Sequence, residues 1–350
     1  TWGIVDNTSG ERDIVRNNAG TWQYNSNGTY GSETWTAGAT NTELATLAEA
    51  MEGASYYGVG YDLSSPSYDS ISFSVAAQDT TPEGIAFNDD GTKMFMIGDS
   101  SDTVYEYSLS TAYDLSTASY SSISFSVSSQ DTLIKDVAFN NDGTKMYVVG
   151  NSNDSVFEYD LSTGFSLSTA SYGRSFSTSG QETTPESVAF NSDGTKMFVL
   201  GNTGDDVNEY SLSTAFTVTS ASYTRNFSVN SQDSTPVSID FNEDGTKMFV
   251  LGRLTDAVYQ YNLTTGFDLS TASYSSISFS VSSQESDPRG LAFAGIKMYI
   301  SGKVNDTVYQ YTAAGLSYTN QMDKTQLDAV TDANQVTLGT DLDLSIILNL

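Results

Sequence analysis

The chain has 350 residues, 43 acidic against 14 basic, a net charge of −29, and neither cysteine nor histidine. That composition excludes disulfides, thiolate chemistry and cysteine-based zinc sites, and removes the commonest general base and metal ligand. It also argues against nucleic acid or an anionic membrane as partner, since both need a basic footprint.

Only 16% of residues are charged, so polarity comes mainly from Ser, Thr, Asn and Gly. With abundant Tyr and Phe, this suits an all-β protein with half-exposed strands. No apolar run reaches the roughly 18–20 residues of a membrane span. No signal peptide is read, which decides little in a chain that does not begin with Met.

Residues 1–53 read as short strands, TWGIVD, RDIVRN, TWQYN and ETWTA, separated by Asn/Gly/Ser turns. They hold all three tryptophans, Trp2, Trp22 and Trp35. A helix is predicted over 41–51: Asn41 or Thr42 caps it, and Leu44, Leu47, Ala48 and Met51 form one stripe.

Next comes an alternating strand, residues 71–75, from Ile71 to Val75. A cassette then repeats five times, as NDDGTKMFMIG, NNDGTKMYVVG, NSDGTKMFVLG, NEDGTKMFVLG and the degenerate AGIKMYISG. The phenylalanines preceding these runs stand at 87, 139, 190, 241 and 293, every 51 or 52 residues. Such a period marks a repeat architecture. One unit shows its parts. The run from Ile123 alternates as a half-buried strand should, and Val137 to Phe139 is a short buried strand. Asp-Gly at 142–143 is a hairpin signal. Strands from Lys145 and from Ser155 follow, then a longer link to the next unit.

Four antiparallel strands per unit predict a β-propeller over the competing β-solenoid, whose coils are shorter. The last unit lacks its outer strand, and residues 71–75 can fill that place. Closure by pairing with the strand around Val308 and Tyr311 removes two exposed edges and gives five blades. After the repeat, a helix over 322–334 with Leu327 and Val330 inward and an apolar strand over 344–350 are predicted. Each flank is too small for a good core. Residues 1–53 with 318–350 therefore read as one split α+β anchoring or assembly domain, with the propeller of residues 54–317 inserted.

The runs VAFNSDGTKMFVLG and DDVNEYSLST are similar to the YVTN-type and related bacterial and phage propeller repeats, over about residues 70–312. That resemblance implies the propeller fold and leaves function open. The flanks resemble small β-rich modules in structural proteins of marine tailed phages.

Two loop motifs recur on what should be one propeller face. A Gln precedes an acid at Gln78, Gln130, Gln181, Gln232 and Gln284. A second acid recurs at Asp102, Asp154, Asp205, Asp256 and Asp306. A ring of amides and carboxylates suits a cation or sugar hydroxyls. Ranked above this is an architectural reading, in which the acids fix turns and the glutamines tie blades together. The Asp-Gly-Thr-Lys loops lack the acid spacing of a calcium loop and read as hairpin turns. The tyrosines at i, i+2 on the third strands read as core before sugar platform. Asp240 breaks a pattern of Ala86, Ala138, Ala189 and Ala292. It is read as lining the channel with water or an ion, or as bonding a neighbouring hydroxyl.

The expected function is a non-enzymatic structural or adhesive surface protein. The specific expectation is a phage virion component (fibre, tail accessory or capsid decoration), at the virion surface or extracellular. It would assemble as an oligomer or array through the flanks and meet host glycans through the propeller. A lectin-like propeller ranks second and a propeller hydrolase or lactonase last, because no nucleophile–base pair can be drawn and the acids repeat with the blade. No cofactor is expected, beyond a structural cation considered for the channel.

Overall fold

The computed structural model describes residues 2–6, 12–18, 21–25, 36–37, 61, 63–295 and 297–313, which fall into two units, each taken by itself. In the first, β1 (Trp2–Asp6), β2 (Arg12–Asn18), β3 (Thr21–Asn25) and β4 (Thr36–Ala37) form an antiparallel meander in chain order. They overlap the four short strands predicted from sequence. The helices expected at 41–51 and 322–334 and the strand at 344–350 lie outside the described residues.

The second unit is a five-bladed β-propeller, each blade a four-stranded antiparallel sheet. Strand β5 (Ser67–Ser74) comes first in the chain. Blade one is β6 (Pro82–Phe87), β7 (Lys93–Gly98), β8 (Thr103–Leu109) and β9 (Ala118–Ser126). Blade two is β10 (Ile134–Phe139), β11 (Lys145–Gly150), β12 (Ser155–Leu161) and β13 (Ala170–Ser177). Blade three is β14 (Pro185–Phe190), β15 (Lys196–Gly201), β16 (Asp206–Leu212) and β17 (Ala221–Ser228). Blade four is β18 (Pro236–Phe241), β19 (Lys247–Gly252), β20 (Ala257–Leu263) and β21 (Ala272–Ser280). Blade five is β22 (Pro288–Ala294), β23 (Lys297–Gly302), β24 (Thr307–Thr312) and the early strand β5.

Local chemistry makes the hairpins. Between β6 and β7, the Asp90 carboxylate accepts from the Thr92 amide at 2.9 Å and from its hydroxyl at 2.5 Å. Gly91 takes φ +68°, which a Cβ would disfavour. The same bonds recur at Asp142, Asp193 and Asp244. These loops are turns, as their sequence predicted.

The blades adhere through aromatic clusters. The inner-strand Phe of one blade packs on a second-strand aromatic of the blade before it, and a link residue completes each group. Phe95, Phe139 and Phe165 are one such group, with centroids 4.5 and 5.4 Å apart for the first and last pairs. Phe87 with Tyr299 and Tyr113, Phe190 with Tyr147 and Phe216, and Phe241 with Phe198 and Phe267 repeat it. Each pair adds roughly 0.5–1.5 kcal/mol beyond its area burial. At the interface of blades four and five the link residue is Tyr61, 4.5 Å from Phe293. The run beginning at Tyr61 is thus a fifth copy of the link, so the repeat begins earlier than its strand pattern suggested. Leu63 is buried like the link residues Leu115, Leu167, Val218 and Leu269.

Closure occurs where the strand count placed it. Strand β5 pairs antiparallel with β24, Phe73 opposite Val308 and Ile71 opposite Gln310, and the Val75 amide donates to the Asp306 carbonyl at 2.8 Å. A unique acid reinforces this seam. In blades one to three the second-strand Lys pairs with a buried third-strand Glu, as in Lys93–Glu106 at 2.9 Å and Lys196–Glu209 at 2.9 Å. Blade five has Gln310 there, and Asp69 of the closing strand supplies the carboxylate instead. Asp69 sits 2.8 Å from Lys297 Nζ and accepts from Thr312 and Gln310 at 2.7 and 2.9 Å. Burial alone would raise its pKa, but these donors hold it below the ordinary carboxylate value.

Asp69→Ala is therefore expected to lower unfolding free energy by about 1.5–3 kcal/mol, the range for hydrogen bonds to a charged group. Asp160→Ala, whose side chain is 51% exposed beside Lys145, should change it by less than about 1 kcal/mol. Urea denaturation of both variants checks this.

Candidate functional site

The two predicted loop rings lie together on one face, and their side chains hold the ring itself together. The acid after each Gln is buried and latches the loop between strands two and three to the loop preceding strand one. Asp79 accepts from the Thr81 amide at 2.8 Å and from the Ser100 and Ser101 hydroxyls, each at 2.6 Å. Burial pushes its pKa up, and these bonds outweigh that and hold it below the usual range. Asp131, Glu182, Asp233 and Glu285 make the corresponding amide contacts. The glycine ending each second strand makes room: a Cβ on Gly98, Gly150, Gly201, Gly252 or Gly302 would lie 2.0–2.4 Å from the latch side chain.

Gln78, Gln130, Gln232 and Gln284 accept from the hydroxyls of Tyr107, Tyr159, Tyr261 and Tyr311 at 3.2–3.4 Å. Gln181 faces no such donor, and Tyr210 Oη has no partner among the described residues. These five tyrosines are fully buried. Asp102, Asp154, Asp205, Asp256 and Asp306 occupy left-handed turn positions, φ +46° to +50°, which Asp tolerates. Their carbonyls accept from the amide that follows an outer strand. Burial, then neighbouring carboxylates, raise the pKa of Asp102 and Asp256. No three acidic side chains among the described residues converge as a metal site.

The blades differ along the axis. The second residue of each inner strand is Glu83, Lys135, Glu186, Val237 and Arg289 in turn. The strands converge there, so side chains about fifty residues apart in sequence become neighbours. Lys135 Nζ lies 3.5 Å from Glu83 and 3.7 Å from Asp99, and Arg289 lies 3.7 Å from Glu83 and 3.0 Å from Asp287. Asp287 also holds Arg253 at 2.6 Å. Glu186 accepts from Asn202 at 2.9 Å. Burial, only partly offset by Lys135, pushes the Glu186 carboxyl up to about 7. Three buried polar atoms of this cluster, Arg289 Nε, Asn202 Oδ1 and Asp99 Oδ1, have no hydrogen-bond partner among the described residues.

One residue further in stand Gly84, Asp136, Ser187, Ser238 and Gly290, which stitch the inner strands. Asp136 accepts from its own neighbour Val137 at 2.8 Å, and from the Ser187 hydroxyl and Val188 amide of blade three at 2.6 and 3.1 Å. Ser187 then accepts from Ile239, and Ser238 from Leu291, each at 3.1 Å. Ser301 binds the Gly290 amide at 2.8 Å and donates to the Glu83 carbonyl, reaching blade one. Gly84 is required because its Cβ would lie 2.1 Å from an Asp136 oxygen.

Asp240 makes a second stitch, accepting from Phe241 at 2.7 Å and from Phe293 of blade five at 2.8 Å. Its partners are backbone amides where a hydroxyl was considered from sequence. Asp136 and Asp240 both line a cavity of about 220 Å³ towards the other end of the inner strands. Burial pushes each to about 7, against the hydrogen bonds they accept.

No protein-family model and no curated protein matches the chain, so membership of the YVTN-type repeats is not shown beyond the propeller itself. Solved structures with a remote likeness include a putative 6-phosphogluconolactonase from Bacteroides fragilis. It is 11% identical, TM-score 0.41, with 79% of this chain and 69% of that one covered. Virginiamycin B lyase from Staphylococcus aureus is 12% identical, TM-score 0.42, with 71% and 99% covered. A luciferin-regenerating enzyme is 11% identical, TM-score 0.43, with 72% and 96% covered.

These names correct the expectation that the chain is not an enzyme: propellers named for catalysis are among the structures it resembles. The sequence argument also failed physically, because it took Asp240 as the clear break in symmetry. Comparing inner strands position by position shows two whole layers that differ between blades.

Gly252→Ala should destabilise by about 1–3 kcal/mol through overpacking against the Asp233 latch. Gly180→Ala, with nothing within 4 Å of its Cβ, should stay within about 0.5 kcal/mol. Chemical denaturation separates them.

The raised carboxyls set a pH dependence. Glu186 titrates near 4.5 unfolded and about 7 folded, and Asp136 and Asp240 near 3.8 and about 7. The folded state holds more protons between these values, so stability falls as pH rises through the window. Unfolding free energy should be higher at pH 5 than at pH 8, with a smaller difference in Asp240→Ala. An unchanged difference in the variant would contradict the assignment.

Proposed function

We propose that the channel mouth formed by Glu83, Lys135, Glu186 and Arg289 is the functional site, and that it takes a small hydroxylated ligand carrying an anionic or ester group. The observation that supports it is the convergence there of three buried polar atoms without protein partners, in a layer where no two neighbouring blades match. Arg289 Nε is a donor suited to a carboxylate or carbonyl oxygen, and Lys135 adds positive charge beside it. Asn202 Oδ1 and Asp99 Oδ1 are acceptors suited to hydroxyls. Glu186 exchanges a proton near neutrality, as a general acid or base must. With water as nucleophile, that set equips the mouth for opening an ester or lactone, the hydrolase reading that sequence ranked last.

The lectin-like reading survives in altered form, with hydroxyl recognition at the mouth in place of the Gln and Asp loops. A virion or surface-display role, with residues 1–53 and 318–350 as an assembly domain binding other surface proteins, rests on acidic composition and texture. Neither the geometry nor the comparisons add to it.

The test is a thermal-shift and NMR titration against sugar acids and their lactones, with lactone hydrolysis followed in parallel. Binding should weaken at least tenfold in Arg289→Met. Any turnover should fall in Glu186→Gln together with a pH profile centred near 7. Equal behaviour of wild type and both variants, or no ligand in the panel perturbing the protein, would remove this reading.

A further inference from the structure

The charge balance of the mouth decides what it can take. Lys135 lies 3.5 Å from Glu83 and 3.7 Å from Asp99. Arg289 lies 3.7 Å from Glu83 and 3.0 Å from Asp287, whose other oxygen holds Arg253 at 2.6 Å. At these distances three cations match three carboxylates, and Glu186 is the acid left over. No ion pair reaches it among the described residues, and its carboxyl accepts from Asn202 Nδ2 at 2.9 Å. Blade one sets Glu83 near it, blade two Lys135 and blade five Arg289. Blade four contributes the uncharged Val237, and Asp136 in the next layer is already bonded to Ser187 and Val188. Glu83, Glu186 and Arg289 are only 3%, 8% and 8% exposed.

In a layer this dry, an ionised Glu186 is one negative charge without a counter-ion. A ligand anion arriving there makes it two, and a proton on Glu186 returns it to one. Like charges repel strongly where water is excluded, so the anion and the ionised form of Glu186 compete for the same cations. Arg289 Nε, buried and without a hydrogen-bond partner among the described residues, is the donor left for the anion. A neutral polyol adds no charge and leaves that competition unchanged.

We propose that the mouth is a proton-coupled anion site, which binds a monoanion such as a sugar acid at Arg289 and Lys135 together with one proton on the Glu186 carboxyl. This rests on the mouth being the ligand site, and it specifies the anion and the proton as a pair. Coupling of this kind is reciprocal: the bound anion favours the protonated acid, and ionisation of Glu186 favours release. Burial already brings the Glu186 carboxyl to about 7 in the free protein. Below that value the proton is in place and affinity is flat with pH. Above it each bound anion must draw a proton from solvent, and affinity falls. In the hydrolase reading that anion is the product acid, and its release follows loss of the proton.

The probes are D-gluconate, ionised throughout the range used, and the neutral polyol D-glucitol, titrated by calorimetry into the full chain. At pH 7.5, in two amine buffers of different protonation enthalpy, gluconate binding should take up about half a proton. Its Kd should rise about fivefold or more from pH 6 to pH 8. Glucitol should show neither effect. Glu186→Gln keeps the shape and removes the charge, so proton uptake disappears and affinity at pH 8 rises to that of wild type at pH 6. A merely structural role for Glu186 would instead weaken binding at every pH. Arg289→Met reports whether the site is the mouth. Gluconate that does not bind, or that binds Arg289→Met as tightly as wild type, removes the mouth reading and this inference with it. Two results overturn the inference alone. One is Arg289-dependent binding with no proton uptake and a flat pH profile. The other is uptake that persists in Glu186→Gln, which assigns the proton to another group such as Glu83, whose pKa burial also raises.

Discussion

The structure depends on closing the ring through a strand that precedes every other strand of the propeller. Strand β5 pairs with β24 more than two hundred residues later, and that pairing removes two sheet edges at once. It also brings Tyr61 into the last aromatic cluster and Leu63 into the core, so closure restores packing as well as hydrogen bonds. Asp69 supplies at this seam the carboxylate that blades one to three carry on their third strand, so the Lys297 ammonium keeps a partner where the sequence repeat has lapsed.

Within each blade the second constraint is the buried latch acid. Two loops with little apolar surface are joined by one carboxylate that receives their amide and hydroxyl protons. The neighbouring glycine is the steric counterpart of that acid. Together they explain why Gln-acid and strand-ending glycine recur with the period, with no ligand needed. Most of the repeated polar residues are committed to backbone, to tyrosine hydroxyls and to turns, while Asp102 Oδ1, Asp205 Oδ1 and Glu285 Oε2 are buried with no hydrogen-bond partner among the described residues. In a chain of net charge −29, the acids of the repeat serve first as intramolecular acceptors.

Side chains not repeated between blades collect on the axis. That follows from geometry: the inner strands are where five blades approach one another, so a single substitution meets the inner strands of both adjacent blades. Opposite charges at adjacent positions, such as Glu83 between Lys135 and Arg289, are tolerated there because they neutralise one another. For the carboxyls of Glu186 and Asp240, burial outweighs the hydrogen bonds and charges around them and raises their pKa. The charged layer and the far cavity thus differ in charge although the same inner strands form both.

The fold was legible in the sequence because its determinants are local. Asp-Gly turns, alternation along SFSV and the 51- or 52-residue period specify strands, blade number and the closing strand without knowledge of any contact. The turn positions of the recurring acids were legible too, since turn chemistry acts within a few residues, whereas the latch from Asp79 to Ser100 and Ser101 and the bond from Tyr107 to Gln78 join separate stretches of chain. The link beginning at Tyr61 was missed because its match to the later copies, Tyr-Asp-Leu-Ser, is short and stands apart from the cassette. The axial cluster was missed for another reason. Glu83, Lys135, Glu186 and Arg289 form no motif in the chain, each being one variable residue at the start of a conserved-looking strand, and their chemistry arises only on convergence. A protonation equilibrium near neutrality requires desolvation by residues from other blades, which the amino-acid order does not encode locally. Sequence alone therefore determined the ring and its seam, and the tertiary structure decided which unlike side chains meet at its centre.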